Sequence, residues 1–198
     1  MKRRYGPRYK VPRRRRREGK TDYRARYKMA IGKYKIRAVL RRTNRYIIVH
    51  FTSIELNGDR THVYVTSRIL RKFGWPFSCK NLPAAYLTGY YAGLLAIKKG
   101  IKEAIPDIGL FRSTKGNRLY AALKGIIDAG VYIPHDDSIF PSEERIRGEH
   151  IVAYAKMLMK ENYEKFKRQF SEYLKKGADP TKIPEFFDKV LQEIKRAV

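Results

Sequence analysis

The sequence predicts an α/β fold, a mixed sheet with helices packed against it, preceded by a basic extended arm and followed by an α-helical extension. Three observations carry this expectation. Between residues 35 and 67 three runs of strand character follow one another, "KIRAVLRR", "RYIIVHF" and "THVYVTS", and are succeeded by a helix, a short apolar run and a second helix. Beyond residue 148 the periodicity is helical throughout. Charge is uneven as well: residues 1–45 hold 20 Lys and Arg against only Glu18 and Asp22, which is +18 of the chain's +26. The expected organisation is an arm with a short helix over 1–34, a core over 35–148 and a helical extension over 149–198.

The arm has no apolar period of either kind, and Gly6, Pro7, Pro12 and Gly19 discourage any continuous element before Thr21. From Thr21 a short helix becomes plausible, with Thr21 or Asp22 as its cap and Ala25, Met29 and Ile31 as its few apolar contacts.

Each element of the core has its own signal. The first strand, 35–42, alternates; the second is β-branched; the third alternates again after the turn "LNGDR". The link "RRTNR" (41–45) reads as a tight cationic hairpin connection in which Asn44 suits a left-handed position. A helix over 82–99 follows, with Leu82, Tyr86, Tyr90, Leu94 and Ile97 on one face and Gly100 at its end. Gly89 and Gly93 thin one side of it, as close approach to a sheet or another helix would require. Then "DIGLF" (107–111) offers a short buried strand, "GNRLYAALKGIIDAG" a second amphipathic helix, and "VYIP" a brief extended piece.

In the tail, Ile151, Tyr154, Ala155, Leu158 and Met159, then Tyr163, Phe166, Phe170 and Tyr173, keep helical spacing. After "KKGADPTKIP" a last helix over 185–198 carries Phe186, Phe187, Val190, Leu191 and Ile194. The α/β core, another protein or folded RNA could each supply the surface these helices need.

Such excess of positive charge expects a polyanion. Arg outnumbers Lys in residues 1–26, and a guanidinium suits phosphate forks and base stacking better than an ammonium does. Tyr5, Tyr9, Tyr23 and Tyr27 are interleaved and offer flat faces to unstacked bases. The arm lacks the apolar anchors of a membrane-binding segment, and neither a signal peptide nor a membrane span is legible, so a cytoplasmic protein is expected. No helix-turn-helix or finger pattern is present, and a flexible Arg-rich arm fits an irregular folded RNA. The turn "STKGNR" (113–118) could hold a phosphate on its amides with Lys115 and Arg118, or could simply cap a helix. Catalytic material is thin: Asp136, Asp137, Glu143 and Glu144 near His135 form adjacent pairs in a Pro-bounded loop, while His50 and His150 have no partner at metal-ligand spacing. The single Cys79, in an apolar setting, reads as structural, and no cofactor is indicated.

The strings "EGKTDYRAR", "RRTNRYII", "PAAYLTG", "GNRLYAALKGIIDAGVYIPH" and "RIRGEHI" occur together and in order. In them the chain closely resembles the large-subunit ribosomal proteins of universal family eighteen, and its length and helical tail resemble the archaeal form. The resemblance implies a sheet of the ribonuclease-H-like kind without catalytic carboxylates, and no enzymatic activity. It further implies a structural role in binding 5S rRNA and attaching it to the large rRNA in the central protuberance. Its implied partners are these two RNAs, the universal family-five protein and other central-protuberance proteins.

The RNA contacts the resemblance and the charge pattern together assign are Arg3, Arg4, Tyr9, Arg13, Arg14, Arg15, Arg16, Arg17, Lys20, Thr21, Tyr23, Arg24 and Arg26 on the arm. To these they add Arg41, Arg42, Asn44 and Arg45 on the hairpin, and Lys115, Asn117 and Arg118 on the later turn. His50, where related chains often carry Gln, and Ala25, within what is often a longer Arg run, depart from the family pattern. The alternative is a metal-dependent RNA-processing nuclease on the same core. The strand runs 35–42 and 46–52 carry no Asp or Glu, which a two-metal nuclease would need gathered at strand ends.

Overall fold

A run of five arginines is a fair helix former once a carboxylate lies one turn on. In the computed structural model, which describes residues 6–32, 36–55 and 57–198, the arm accordingly holds one helical turn, α1 (Arg14–Arg17), where no element was expected. Glu18 sits 3.8 Å from Arg14 and 2.7 Å from Lys20, and Gly19, at φ 62°, turns the chain away. The second helix, α2 (Tyr23–Ile31), is capped by Asp22, whose Oδ1 accepts from the Arg24 and Ala25 amides at 2.9 and 3.1 Å. Thr21 is not the cap; its hydroxyl accepts from Arg15 Nε at 2.8 Å. Of the apolar contacts expected on α2, Ala25 and Ile31 are exposed and only Met29 is half-buried. Arg3, Arg4, Tyr5 and Lys35 lie outside the described residues.

The three strands form as the alternation requires: β1 (Ile36–Arg42), β2 (Ile47–Glu55) and β3 (Gly58–Thr66) pair antiparallel, with Val39 opposite His50 and Val49 opposite Val65. β4 (Ile105–Asp107) lies parallel to β1, Ala38 beside Pro106, so the sheet is mixed and its order is β3-β2-β1-β4. This strand begins two residues before the expected "DIGLF". Gly109, at φ 64°, ends it, Leu110 is exposed, and Pro106, lacking an N–H, is tolerated because the strand is an edge.

Helix α3 (Leu82–Lys98) packs on β2 and β3, and α4 (Arg118–Asp128) on β1 and α3. Asn81 and Asn117 cap them, accepting from the Ala84 and Tyr120 amides at 3.0 and 2.9 Å. The two helices meet backbone to backbone. A Cβ on Gly89 would fall against the Ala122 carbonyl, one on Gly125 against that of Tyr86, and one on Gly93 within 2.6 Å of the Ala129 methyl. The expected face of α3 is therefore not its most buried one. Ala85, Ala92 and Ala96 go to the sheet side, whereas Tyr86, Tyr90 and Leu94 are half-buried on a second cluster and Ile97 is exposed.

That second cluster settles what the last helix lies on. After α5 (Glu143–Arg147), α6 (Glu149–Glu161), α7 (Tyr163–Gln169) and α8 (Ser171–Leu174), helix α9 (Ile183–Ala197) starts two residues earlier than expected, with Pro184 in its first turn. Its Ile183, Phe187, Val190 and Ile194 bury themselves among Leu70, Trp75, Phe77 and Leu87 of the core. Helices α6 and α7 close a smaller cluster of Ala155, Leu158, Phe166 and Phe170. No helix among the described residues is long and apolar enough to cross a membrane.

Candidate nucleic-acid interface

The arm presents its arginines rather than burying them. Arg13 through Arg17 and Arg24 are exposed, neither α1 nor α2 has a buried residue, and Tyr9 and Tyr27 are 43% and 66% exposed. Arg13 lies 5.7 Å from the centre of the Tyr23 ring, so one guanidinium–aromatic stack is already formed. Glu18 and Asp22, the two acidic residues in this stretch, pair with its cations and cap its helix; they shape the arm rather than oppose its charge.

A chain of ion pairs joins the arm to the sheet. Arg26 Nη2 donates to Asp59 Oδ1 at 2.7 Å, Arg37 reaches Asp59 Oδ2 and Asp107 Oδ2 at 2.6 Å each, and Arg41 Nη2 meets Asp107 Oδ1 at 2.9 Å. Burial alone would raise the Asp107 carboxyl, but Arg41, Arg37 and the Gly109 amide outweigh it and hold it below its ordinary range. Arg41 also donates to the Asp107 carbonyl at 2.6 Å, so its guanidinium is turned onto β4 instead of out along the hairpin. A cavity of about 490 Å³ lies between arm and sheet edge, reached by Arg15, Lys20, Thr21, Arg26 and Arg41. His50, on β2, is held below its ordinary pKa by burial and then by Arg41 and Arg37, and lies edge-on to Tyr64.

Two segments about 70 residues apart in sequence converge at the C-terminal end of β1. The hairpin turn is held by Thr43, whose hydroxyl accepts from the Tyr46 amide at 2.9 Å and the Arg45 amide at 3.3 Å. No described residue other than glycine has a positive φ, so Asn44 does not occupy the left-handed position expected of it. Arg42 lies over the Phe111 ring at 5.1 Å. Arg118 donates to the Lys80 carbonyl at 3.0 Å, and Asn117 spends its side-chain oxygen on the cap of α4. Arg42, Phe111, Arg112, Thr114 and Arg118 line a cavity of about 240 Å³; Arg42, Asn44, Lys80 and Arg118 line another of about 290 Å³.

Burial first, and then repulsion from the neighbouring Arg42, lowers the Arg118 pKa, and no acidic side chain lines either cavity. An anion relieves that repulsion. Arg45 and Lys115 are exposed beside this groove's two segments. Lys80, Phe111 and Arg112 are additions that sequence reasoning missed. Arg112 adjoins "STKGNR" and could have been found by extending that turn, whereas Lys80 stands alone before a helix cap and gave no signal.

The candidate catalytic loop is occupied with structure. Asp136 accepts from the Ser138 amide at 2.8 Å, His135 Nε2 lies 3.3 Å from Asp137, and Glu143 and Glu144 open α5. Among the described residues no three His, Cys, Asp or Glu side chains form a group that could hold a metal ion. Cys79 is buried in the second cluster.

A family model described as ribosomal large subunit proteins 60S L5 and 50S L18 matches residues 7–105 and 96–136. The chain is 56% identical over 187 residues to the large ribosomal subunit protein uL18 of Korarchaeum cryptofilum, spanning 94% of each chain. It is 48% identical over 194 residues to that of Methanothermobacter thermautotrophicus, spanning 98% of this chain and 99% of the other. With the protein of the same name from Aeropyrum pernix it shares 47% over 193 residues, 97% of this chain and 90% of the relative.

Proposed function

The chain belongs to the family of ribosomal large subunit proteins 60S L5 and 50S L18, and from that membership we propose that it binds 5S rRNA and attaches it to the large-subunit rRNA in the central protuberance, as a structural and non-catalytic component. The observation that carries this reading is a pair of cavities that share Arg42 and Arg118, one lined also by Phe111 and Arg112 and the other by Asn44 and Lys80, with no carboxylate lining either. Such a site takes a phosphate between its cations and can stack a base or sugar face on the ring. The arm adds exposed guanidiniums that neutralise phosphates with less regard to sequence.

The sheet order, three antiparallel strands with a fourth parallel to the first, supports the ribonuclease-H-like kinship. The nuclease alternative has less support, since Asp59 and Asp107 are both tied to Arg37. In this reading the protein works in the cytoplasm, beside the universal family-five protein.

Filter binding to 5S rRNA and to an unrelated structured RNA, with backbone footprinting of the complex, tests the proposal. Tighter binding to 5S rRNA, with protections lost in an Arg42→Ala, Arg118→Ala variant, is expected. Equal affinity for both RNAs would refute it, and metal-dependent RNA cleavage abolished by substituting Asp136 and Asp137 would replace it with the enzyme.

A further inference from the structure

RNA binding by itself does not explain why a cationic arm should carry its own dock. Helix α2 has no buried residue and half-buries only Met29 among its expected apolar contacts, so apolar packing gives it little reason to lie along the sheet. What meets it there is Asp59, at the start of β3, whose side chain is 25% exposed and whose two oxygens each take a different guanidinium, Arg26 from the arm and Arg37 from β1. Arg37 is buried and held from its other side by Asp107, so Asp59 is anchored to an immobile group. Without the carboxylate, Arg26 would face the Arg37 guanidinium directly, and like charges would push the helix off.

We propose that Asp59 is a positioning residue: by bridging Arg26 to Arg37 it docks α2 on the sheet and sets where the free arginines of the arm meet the RNA. This rests on the reading that the arm binds rRNA. A docked arm enters the complex with part of its ordering already done, so the bridge raises affinity for a matching RNA although its charge repels RNA. That opposition makes the sign of the effect decisive. An acidic side chain without a positioning role lowers RNA affinity, and its removal strengthens binding to every RNA; a positioning carboxylate does the reverse for the matching one.

The full chain, Asp59→Asn and Asp59→Glu are compared by amide hydrogen exchange without RNA and by filter binding to 5S rRNA and an unrelated structured RNA. In Asp59→Asn, amides of α2 should exchange faster while those of β1 and β2 keep their rates, and 5S rRNA affinity should fall roughly three- to fivefold. Asp59→Glu, which keeps the charge, should restore most of both. Should Asp59→Asn fail to fold, the unaltered protein still decides: α2 exchange must accelerate as salt rises from about 0.1 to about 1 M while β1 exchange does not. Unchanged α2 exchange, or tighter 5S rRNA binding by Asp59→Asn, would overturn the proposal. If the unaltered protein shows no preference for 5S rRNA, the functional reading falls, and the exchange data still decide the docking.

Discussion

Replacing Gly89 by Ala adds one methyl group where two helix backbones touch, and the consequence can be worked from the geometry. The new Cβ would lie 2.7 Å from the Ala122 carbonyl carbon and 2.9 Å from its Cα, with the carbonyl oxygen nearer still, where 3.4 Å begins ordinary contact. None of these atoms belongs to a flexible side chain, so α3 and α4 must separate. Overpacking of this kind costs about 3 kcal/mol, and the gain in helix propensity from Gly to Ala returns about 1. The net loss of about 2 kcal/mol lowers Tm by roughly 4–8 °C for a chain of this size.

The site should feel the change too, because Lys80 precedes α3 by two residues and Arg118 opens α4, and their 3.0 Å contact depends on that crossing. Thermal unfolding followed by circular dichroism measures the first effect. Gly32→Ala, where a Cβ would meet only carbonyl oxygens at 3.5 Å, serves as the control and should leave Tm almost unmoved. If Gly89→Ala unfolded at the same temperature as the unaltered protein, the claim of backbone contact between the helices would be wrong.

Replacing Arg13 to Arg17 by Ala should weaken 5S rRNA and an unrelated structured RNA alike and flatten the salt dependence by roughly 0.7–0.9 in log K against log salt per lost phosphate contact, read by filter binding at several salt concentrations. The Arg42→Ala, Arg45→Ala pair should instead cost more on 5S rRNA than on the other; equal losses would make the hairpin only more nonspecific charge. Deleting residues 1–20 should leave cooperative thermal unfolding intact, because none of the described residues in that stretch is buried. Asp107, held below its ordinary 3.8, contributes stability that is complete above that value and is lost as pH falls through the lower folded one. Asp107→Asn should therefore lose about 3 kcal/mol at pH 7, by leaving Arg37 and Arg41 short of a partner, and should show a shallower acid transition in denaturant titrations below pH 4.

Periodicity in the sequence alone determined the three antiparallel strands, both core helices and the amphipathic last helix, because alternation and helical spacing are local consequences of which side of an element meets water. The sequence pointed to a polyanion partner as well, since a charge of +18 on 45 residues needs no fold to be read. What it could not settle were matters of which surfaces face each other. The buried stripe of α3 consists of small residues, whose signal is weaker than that of the tyrosines beside them, and only the crossing with α4 makes alanine and glycine the right choice there. Arg41 and Arg42 are chemically alike and adjacent, yet alternation along β1 and the arrival of Asp107 on β4 tie the first to a carboxylate while the second stacks on Phe111. Lys80 joins Arg118 only because α3 and α4 start at the same end of the sheet. The link from the arm to Asp59 spans 33 residues and depends on strand pairing that places Arg37 between two carboxylates. Charge was legible from composition; which charges are free and which are held was decided by tertiary contacts, because an ion pair is a property of two positions in space.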